Sequence, residues 1–241
     1  IIFFKQTTAY SIGLGFLLNR SSYLQTSRMA RDGYESDRNR LCVYELATGK
    51  KNYVSEKFDS NVEGFVWNKD NKSLSFIGVW HGTLNLYQAN FKGEVKQITN
   101  EWADYGSISL ANNGNKLLAT KASMSHPTDI YIVTPGKDAK STKVEQITRE
   151  NDHILNQLNL GKCEQRWVKT TDGKQMLVWI MLTSNFDANK KYPTLLFCEG
   201  GPQSPVSQFW SYRWNIQIMP ANGYLVVLPN PRALHGYGSA W

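Results

Sequence analysis

Short runs in which apolar and polar residues alternate fill the chain between residues 38 and 152. Alternation with a period of two residues is typical of strands with one buried face, and the Asn, Asp and Gly residues between the runs favour hairpin turns. Val43, Leu86 and Ile130 lie at equivalent points of three similar runs, and they are 43 and 44 residues apart. A period of about 40–50 residues with several strands per unit predicts β-propeller blades, with a plain β-meander as the alternative.

About three such units are present, whereas β-propellers have roughly four to eight blades. Blades bury their faces only against neighbouring blades, and a closed ring removes the open edges of the sheets. We therefore expect residues 27–160 to form a partial β-propeller with few helices and an incomplete ring.

The pattern changes after residue 161. Two alternating runs flank the Asp172-Gly173 pair, which is a strong signal for a hairpin turn. Continuous apolar runs follow at residues 194–198 and 224–228, and residues 207–222 between them have helical spacing. Strand, helix and strand in this order predict a βαβ unit and therefore a parallel sheet.

Composition and charge exclude several classes of protein. Of the 241 residues, 41% are hydrophobic and 20% are charged, which excludes a disordered chain. No apolar run approaches the roughly 18 residues that a membrane span needs. The net charge is +7, but residues 1–31 carry four basic and no acidic side chains, so the remainder shows no basic patch for nucleic acid.

Cysteine and histidine do not occur at metal-ligand spacing. The three cysteines are far apart, and no histidine pair lies at the short separations of zinc sites. We expect no metal site, and we expect Cys198, within an apolar run, to be a small buried residue.

Residues 1–26 differ from the rest because they contain basic residues but no acidic ones, and are rich in Ser and Thr. They are expected to be an irregular or non-native N-terminal segment. A targeting peptide is the alternative, although a small-residue cleavage site is missing behind the apolar patch.

Five motifs of the C-terminal part occur in a characteristic order: Glu-Gly-Gly-Pro-Gln at 199–203, Tyr-Arg-Trp-Asn at 212–215, Asn-Gly-Tyr at 222–224, Pro-Asn-Pro-Arg at 229–232 and His-Gly-Tyr-Gly at 235–238. In these motifs the chain resembles the start of the α/β-hydrolase domain of the prolyl oligopeptidase family of serine peptidases. It is most similar to the branch of dipeptidyl-peptidase 5 and acylaminoacyl-peptidase-like enzymes. The resemblance covers residues 28–241.

The resemblance implies a multidomain fold of β and α/β parts. Residues 27–160 would form the partial propeller, and residues 161–241 the N-terminal part of the α/β-hydrolase domain, truncated before its end. It further implies peptide-bond hydrolysis through an acyl-enzyme, without metal or organic cofactor. A propeller would restrict access to short peptides. The family favours a periplasmic or secreted location, leaves a cytoplasmic one open, and leaves open a homodimer of the intact parent.

The resemblance also names candidate site residues. In α/β-hydrolases a backbone N–H of the loop after the third strand helps to bind the oxyanion, and one such donor contributes roughly 3–4 kcal/mol. Gly200 and Gly201 occupy that loop and are the oxyanion candidates, with an ordinary strand-to-helix turn as the alternative. Glu199 and Arg232 are the substrate-binding candidates. We expect Glu199 to turn away from the oxyanion or to pair with Arg213 or Arg232.

Three residues depart from the family pattern. Relatives often have His or another side chain in place of Glu199. Ala233 replaces a Gly, so it would be strained if the turn requires a positive φ. Pro220 lies inside the predicted helix, where it would cost about 3 kcal/mol unless the helix kinks or ends.

The catalytic triad is not in the sequence. No Gly-x-Ser-x-Gly motif is present, and the order Ser, Asp or Glu, then His would place all three members beyond residue 241. His235 precedes that serine and is therefore expected to be a loop residue. We expect this chain to be an internal fragment that is inactive alone. A non-enzymatic propeller protein and an esterase of the same hydrolase fold are the alternatives.

Overall fold

The computed structural model describes residues 23–31, 37–111, 114–200 and 203–241. In this part of the chain, fifteen strands form three sheets, and each of the two helices has four residues. No helix within these ranges has the length and apolar character of a membrane span. The expected predominance of β structure with few helices is confirmed.

The first sheet is antiparallel and has the order β1-β2-β3. Its strands are β1 (Tyr23–Arg28), β2 (Arg40–Glu45) and β3 (Lys51–Tyr53). β1 overlaps the end of the segment 1–26 that the sequence marked as irregular, while residues 1–22 lie outside the described ranges.

The second sheet consists of two consecutive antiparallel meanders of four strands each. The strands are β4 (Val62–Trp67), β5 (Ser73–Trp80), β6 (Thr83–Asn90), β7 (Val95–Gln97), β8 (Asp104–Leu110), β9 (Leu117–Ser123), β10 (His126–Thr134) and β11 (Lys143–Gln146). The meanders join where Leu84 of β6 pairs in parallel with Asp104 of β8.

The sequence repeat recurs in the hydrogen bonds of the two meanders. The N–H of Leu86 donates to the hydroxyl of Thr99 at 2.9 Å, and the N–H of Ile130 donates to the hydroxyl of Thr148 at 2.9 Å. Each threonine hydroxyl in turn donates to the polar side chain that precedes these strand residues, Asn85 or Asp129. The same contact therefore closes each meander at its last strand.

The meanders are stabilised by packing face to face. Ile77 and Leu86 of the first meander and Leu117 and Val133 of the second are almost completely buried in one apolar cluster. A second cluster joins the first meander to β2 through residues such as Leu41. Because apolar burial contributes about 25 cal/mol per Å², each meander depends on its neighbours for much of its stability.

The third sheet has the order β12-β13-β15-β14. Its strands are β12 (Cys163–Lys169), β13 (Gln175–Met181), β14 (Thr194–Leu196) and β15 (Leu225–Pro229), and α1 (Asp152–Leu155) lies in the connection before them. β12 and β13 form the predicted hairpin, whose turn places Gly173 at a φ of +83°. β14 and β15 pair in parallel as predicted, but β13 pairs antiparallel with both β12 and β15, so the sheet is mixed rather than parallel.

The predicted helix over residues 207–222 is wrong, because only α2 (Ile218–Ala221) forms there. The hydroxyl of Ser207 and the N–H of Gln208 bond to Asp104, and the hydroxyl of Ser211 accepts N–H bonds from the residues after it. These partners compete with helical hydrogen bonds. Pro220 lies in the first turn of α2, where its missing N–H removes no helical bond.

Cys198 is exposed, so the expectation that it is buried is wrong. β14 ends at Leu196 and lies at the edge of the described sheet, with Leu196 64% exposed. The apolar run at residues 194–198 therefore predicted a strand at the right place, but the strand is shorter than the run and is not covered by neighbours.

Ala233 has a φ of +71°, in the left-handed region that a side chain with a Cβ disfavours. The turn therefore does require a positive φ here, and Ala233 is strained as the sequence analysis anticipated for that case. Ala233 follows Arg232 in the loop after β15, outside any strand or helix.

We expect Ala233→Gly to stabilise the chain by about 0.5–1 kcal/mol. Relief of about 1–2 kcal/mol of left-handed strain is partly offset by the larger unfolded-state entropy of glycine. Urea unfolding measures the change. Ala221→Gly, in helical conformation in α2, is the matched control and should destabilise by about 0.5–1 kcal/mol. The same sign for both variants would contradict strain at Ala233.

Candidate functional site

A cleft of about 610 Å³ opens at the carboxyl end of β14. Its lining residues come from two segments, 197–199 and 204–214. Most of them are apolar: Phe197, Cys198, Glu199, Ser204, Pro205, Phe209, Ser211 and Trp214. Ligands of open α/β sheets bind beyond the carboxyl ends of parallel strands. The cleft therefore lies where this fold binds small molecules or peptides.

Of the predicted oxyanion residues, Gly200 is described and Gly201 lies outside the described ranges. A Cβ built on Gly200 would meet no atom within 4 Å among the described residues, so its backbone borders open space. Gly200 is not itself a lining residue of the cleft, but it directly follows Glu199, which is.

Glu199 lines the cleft as well. Within the described ranges it forms no ion pair, so it does not pair with Arg213 or Arg232 as the sequence suggested. The Arg213 guanidinium instead lies over the ring of Trp214, 5.7 Å from its centroid. A carboxylate that forms no ion pair in the described part of the chain therefore lines a largely apolar cleft.

Arg232 does not line the cleft. Its guanidinium pairs with Asp172 in the β12–β13 turn and lies over the ring of Trp241, 4.7 Å from its centroid. The pKa of Asp172 is lowered to about 2. The hydrogen bond from the Thr170 hydroxyl has the largest effect, and the hydrogen bond from Arg232 has the second largest. Arg232 thus joins the hairpin turn to the loop after β15.

One wall of the cleft is anchored from the third sheet. The N–H of Val206 donates to the Asn230 side chain at 2.8 Å, and the Val206 carbonyl accepts the indole N–H of Trp179 at 3.1 Å. Asn230 and Trp179 are fully buried. Pro205, which lines the cleft beside Val206, is therefore held by a rigid neighbour.

The same wall is anchored from the meanders by Asp104. Its carboxylate accepts the Ser207 hydroxyl at 2.5 Å, the N–H of Gln208 at 3.1 Å and the N–H of Leu84 at 3.2 Å. Removal of the carboxylate from water raises the pKa of Asp104 to about 6, against the opposing effect of these three hydrogen bonds. The charge is therefore costly, and the bonds offset only part of the cost.

Gln217, just before α2, is a second buried connection between the meanders and the third sheet. Its side-chain amide donates to the Met124 carbonyl at 3.1 Å, and its oxygen accepts the N–H of Gly161 at 2.8 Å. A Cβ on Gly161 would lie 2.2 Å from the Leu182 carbonyl, so only glycine fits there. The residues that link the second and third sheets are thus tightly packed.

A group of possible metal ligands lies at the end of the second meander. His126, Asp129 and Asp152 have ligand atoms within 4.8 Å of one another. Asp129 already accepts hydrogen bonds from Gln146 and from the threonine that closes the meander, and Asp152 pairs with Arg149. These contacts explain the group as a polar network that belongs to the repeat. The spacing of the three residues in the sequence did not predict it.

Sequence reasoning missed Asp104 and most of the cleft lining. Asp104 is 103 residues away from Ser207 in the chain, and its local sequence resembles that of any strand start. Trp214 was part of a recognised motif, yet its place in the cleft depends on the irregular path that replaces the predicted helix. The only available signal was the density of polar and aromatic residues in 203–214.

The comparisons with known proteins agree with this fold. The chain is 44% identical over 214 residues to dipeptidyl-peptidase 5 of Porphyromonas gingivalis, covering 88% of this chain and 30% of that protein. It is 46% identical over 220 residues to dipeptidyl-peptidase 5 of Porphyromonas endodontalis, covering 91% and 31%. The chain thus spans about a third of the length of these curated relatives. No family model matches it.

Solved structures show the same architecture. An acylaminoacyl peptidase in complex with Z-Gly-Gly-Phe-chloromethyl ketone matches with a TM-score of 0.74 at 21% identity, over 90% of this chain and 32% of that one. Acylaminoacyl peptidase of Pyrococcus horikoshii matches with a TM-score of 0.73 at 20% identity, over the same shares. These neighbours are peptidases of the type that combines a propeller with an α/β-hydrolase domain, and this chain matches about a third of each. The resemblance that the motifs predicted is confirmed: the curated relatives at 44–46% identity are dipeptidyl-peptidase 5 proteins, and the solved neighbours are acylaminoacyl peptidases.

We expect Asp104→Asn to change how stability depends on pH. Since the folded-state pKa of Asp104 is raised to about 6, the folded chain binds this proton more tightly than the unfolded chain, where the pKa is about 4. The contribution of Asp104 to stability is therefore lost as pH rises from about 4 to about 7, by at most about 3 kcal/mol relative to the Asn variant. Urea unfolding across this pH range measures the difference.

Asp138→Asn is the control for the sign of this effect. Asp138 is exposed, and hydrogen bonds from Ser141 lower its pKa. Its contribution to stability is therefore lost as pH falls, so the wild type should gain slightly over this variant as pH rises. A pH-independent difference between wild type and Asp104→Asn would contradict the raised pKa.

Proposed function

We propose that this chain is part of a serine peptidase that hydrolyses short peptides through an acyl-enzyme, as a dipeptidyl or acylaminoacyl peptidase. The observation that carries the proposal is the 44–46% identity to dipeptidyl-peptidase 5 across about nine-tenths of the chain. The cleft at the carboxyl end of β14 supports it, because the candidate oxyanion loop borders that cleft. The relatives favour neither a non-enzymatic propeller protein nor an esterase.

The proposed division of the chain follows the sheets. Residues 27–160 are the partial propeller, with about three blades, and residues 161–241 are the first part of the hydrolase domain. The repeated threonine contacts at Leu86 and Ile130 support the blade assignment. The parallel pair of β14 and β15 supports the hydrolase assignment.

The proposed chemistry assigns a role to the backbone of the loop after β14. Gly200 and Gly201 would donate N–H groups to the oxyanion that forms when the nucleophile attacks the scissile carbonyl. Since this sequence has no Gly-x-Ser-x-Gly motif, the nucleophile and its His and Asp partners belong to other parts of the parent protein. The reaction would need no metal or organic cofactor.

Glu199 and Arg232 have different proposed roles in substrate binding. Glu199 would contact the substrate directly, because it lines the cleft. Arg232 would act from a distance, because its contacts with Asp172 and Trp241 stabilise the loop after β15. A short peptide is the proposed partner, and a homodimer of the parent remains a prediction.

Activity-based labelling tests the proposed reaction. The full-length parent should react with a fluorophosphonate probe and release the amine from dipeptide amides, whereas the 241-residue chain should do neither because it lacks the nucleophile. Substrates with a free and an acetylated N-terminus distinguish a dipeptidyl from an acylaminoacyl peptidase. Labelling of the 241-residue chain, or absence of labelling in the parent, would overturn the proposal.

A bulky side chain at Gly200 should impair catalysis without impairing folding. A Cβ at Gly200 meets no described atom within 4 Å, so Gly200→Val should leave the melting temperature nearly unchanged. We expect kcat in the parent to fall by about 10²-fold or more, since the valine would displace a contact made in the transition state. Ala188→Val, which adds the same side chain on an exposed turn, is the control and should retain full activity. An unchanged kcat in Gly200→Val would exclude this loop from the oxyanion site.

A further inference from the structure

The wall of the cleft between Ser204 and Phe209 has two sides. Ser204, Pro205 and Phe209 line the cleft, whereas Ser207 and Gln208 between them are largely buried against the body of the protein. The positions of the lining residues are therefore set by the partners of the buried ones.

We propose that Asp104 is a positioning residue of the substrate cleft: its carboxylate, at the start of β8, holds Ser207 and Gln208 and thereby sets the positions of Pro205 and Phe209. The inference rests on the proposed peptidase function for its kinetic part. Its structural part concerns the cleft wall alone.

Asp104 differs from the other anchors of this wall because of where it comes from. Trp179 and Asn230, which hold Val206, belong to β13 and to the end of β15, in the same sheet that carries the cleft. Within the described ranges, Asp104 supplies the only side-chain hydrogen bonds from the meanders to residues 203–209. In the described part of the chain, one carboxylate thus provides the side-chain hydrogen bonds from the meanders to the cleft wall, beside the apolar packing of Met124 with Val206.

The connection extends through Asp104 into both meanders. The oxygen that accepts the N–H of Gln208 also accepts the N–H of Leu84 in β6, and Asp104 pairs with Leu84 at the junction of the two meanders. A shift between the meanders would therefore move the acceptor for the cleft wall. This arrangement makes the shape of the cleft depend on how the meanders pack.

The geometry provides a matched pair of substitutions. In Asp104→Asn, the amide oxygen can accept the N–H groups of Leu84 and Gln208, and the amide nitrogen can donate to the hydroxyl of Ser207, which also accepts. In Asp104→Ala, all three bonds are lost: the Ser207 hydroxyl and the Gln208 N–H lose this acceptor, whereas the Leu84 N–H keeps its bond to the Ala103 carbonyl at 3.1 Å. Only the alanine variant removes the connection, although both remove the charge.

Hydrogen exchange and steady-state kinetics in the full-length parent test the proposal. In Asp104→Ala, we expect exchange of residues 203–209 to become at least about 10-fold faster. KM for a dipeptide amide should rise about 10-fold with kcat changed much less, because the wall contacts the peptide equally in the ground and transition states. Asp104→Asn should keep both values close to those of the wild type.

Asp59→Ala is the matched control. The Asp59 carboxylate likewise connects the N-terminal and C-terminal parts of the chain, because it accepts hydrogen bonds from the N–H and the hydroxyl of Ser239. Ser239, however, does not line the cleft. The variant should leave KM and exchange at 203–209 unchanged. If Asp104→Ala fails to fold, Ser207→Ala, which removes one bond, should still speed exchange at 203–209 by a smaller factor.

The outcomes separate this inference from the proposed function. Unchanged exchange at 203–209 in both Asp104→Ala and Ser207→Ala would overturn the inference, and so would faster exchange spread evenly over the chain. Faster exchange at 203–209 with KM unchanged in an active parent would also overturn it, because the wall would then not shape the substrate cleft. An inactive wild-type parent would overturn the proposed function, while the exchange measurements would still test the role of Asp104 in the cleft wall.

Discussion

The carboxylate of Asp104 connects three parts of the molecule. It accepts hydrogen bonds from Leu84 in the first meander and from Ser207 and Gln208 in the cleft wall, and its own backbone begins the second meander. The pKa of this carboxyl is raised to about 6, so its desolvation is only partly offset by these bonds. The remaining free-energy cost of burying this carboxylate is offset by the packing around it.

That packing comes from the repeat. Each meander buries one face against the next through residues such as Ile77 and Val133, and each is closed by a threonine that accepts a strand N–H. Apolar contacts fix the distance between meanders, and the polar contacts fix the register of their strands. The third sheet is joined to this assembly by Gln217 and by the contact of Trp102 with Trp179, whose ring centroids are 5.2 Å apart.

The cleft combines rigid and open parts. Its wall is held by buried anchors, whereas Gly200 borders open space and Glu199 has no cationic partner among the described residues. Transition-state stabilisation by N–H donors, the role proposed for Gly200, requires a preorganised site with accessible backbone. Ala233, in the left-handed region, is a strained residue of the loop after β15 and does not line the cleft.

The sequence alone determined the features that depend on neighbouring residues: the alternating strands and their period, the hairpin at Asp172-Gly173, the parallel pair around residues 194–198 and 224–228, and the family motifs. Tertiary structure alone decided the path of residues 207–217, the exposure of Cys198, the partners of Arg232 and the role of Asp104. The helical spacing of 207–222 failed because Ser207 and Gln208 find stronger partners on Asp104, 103 residues earlier in the chain. Local pattern specifies which conformations a segment can adopt, but hydrogen bonds and packing between distant segments select among them, and no spacing in the sequence records those contacts.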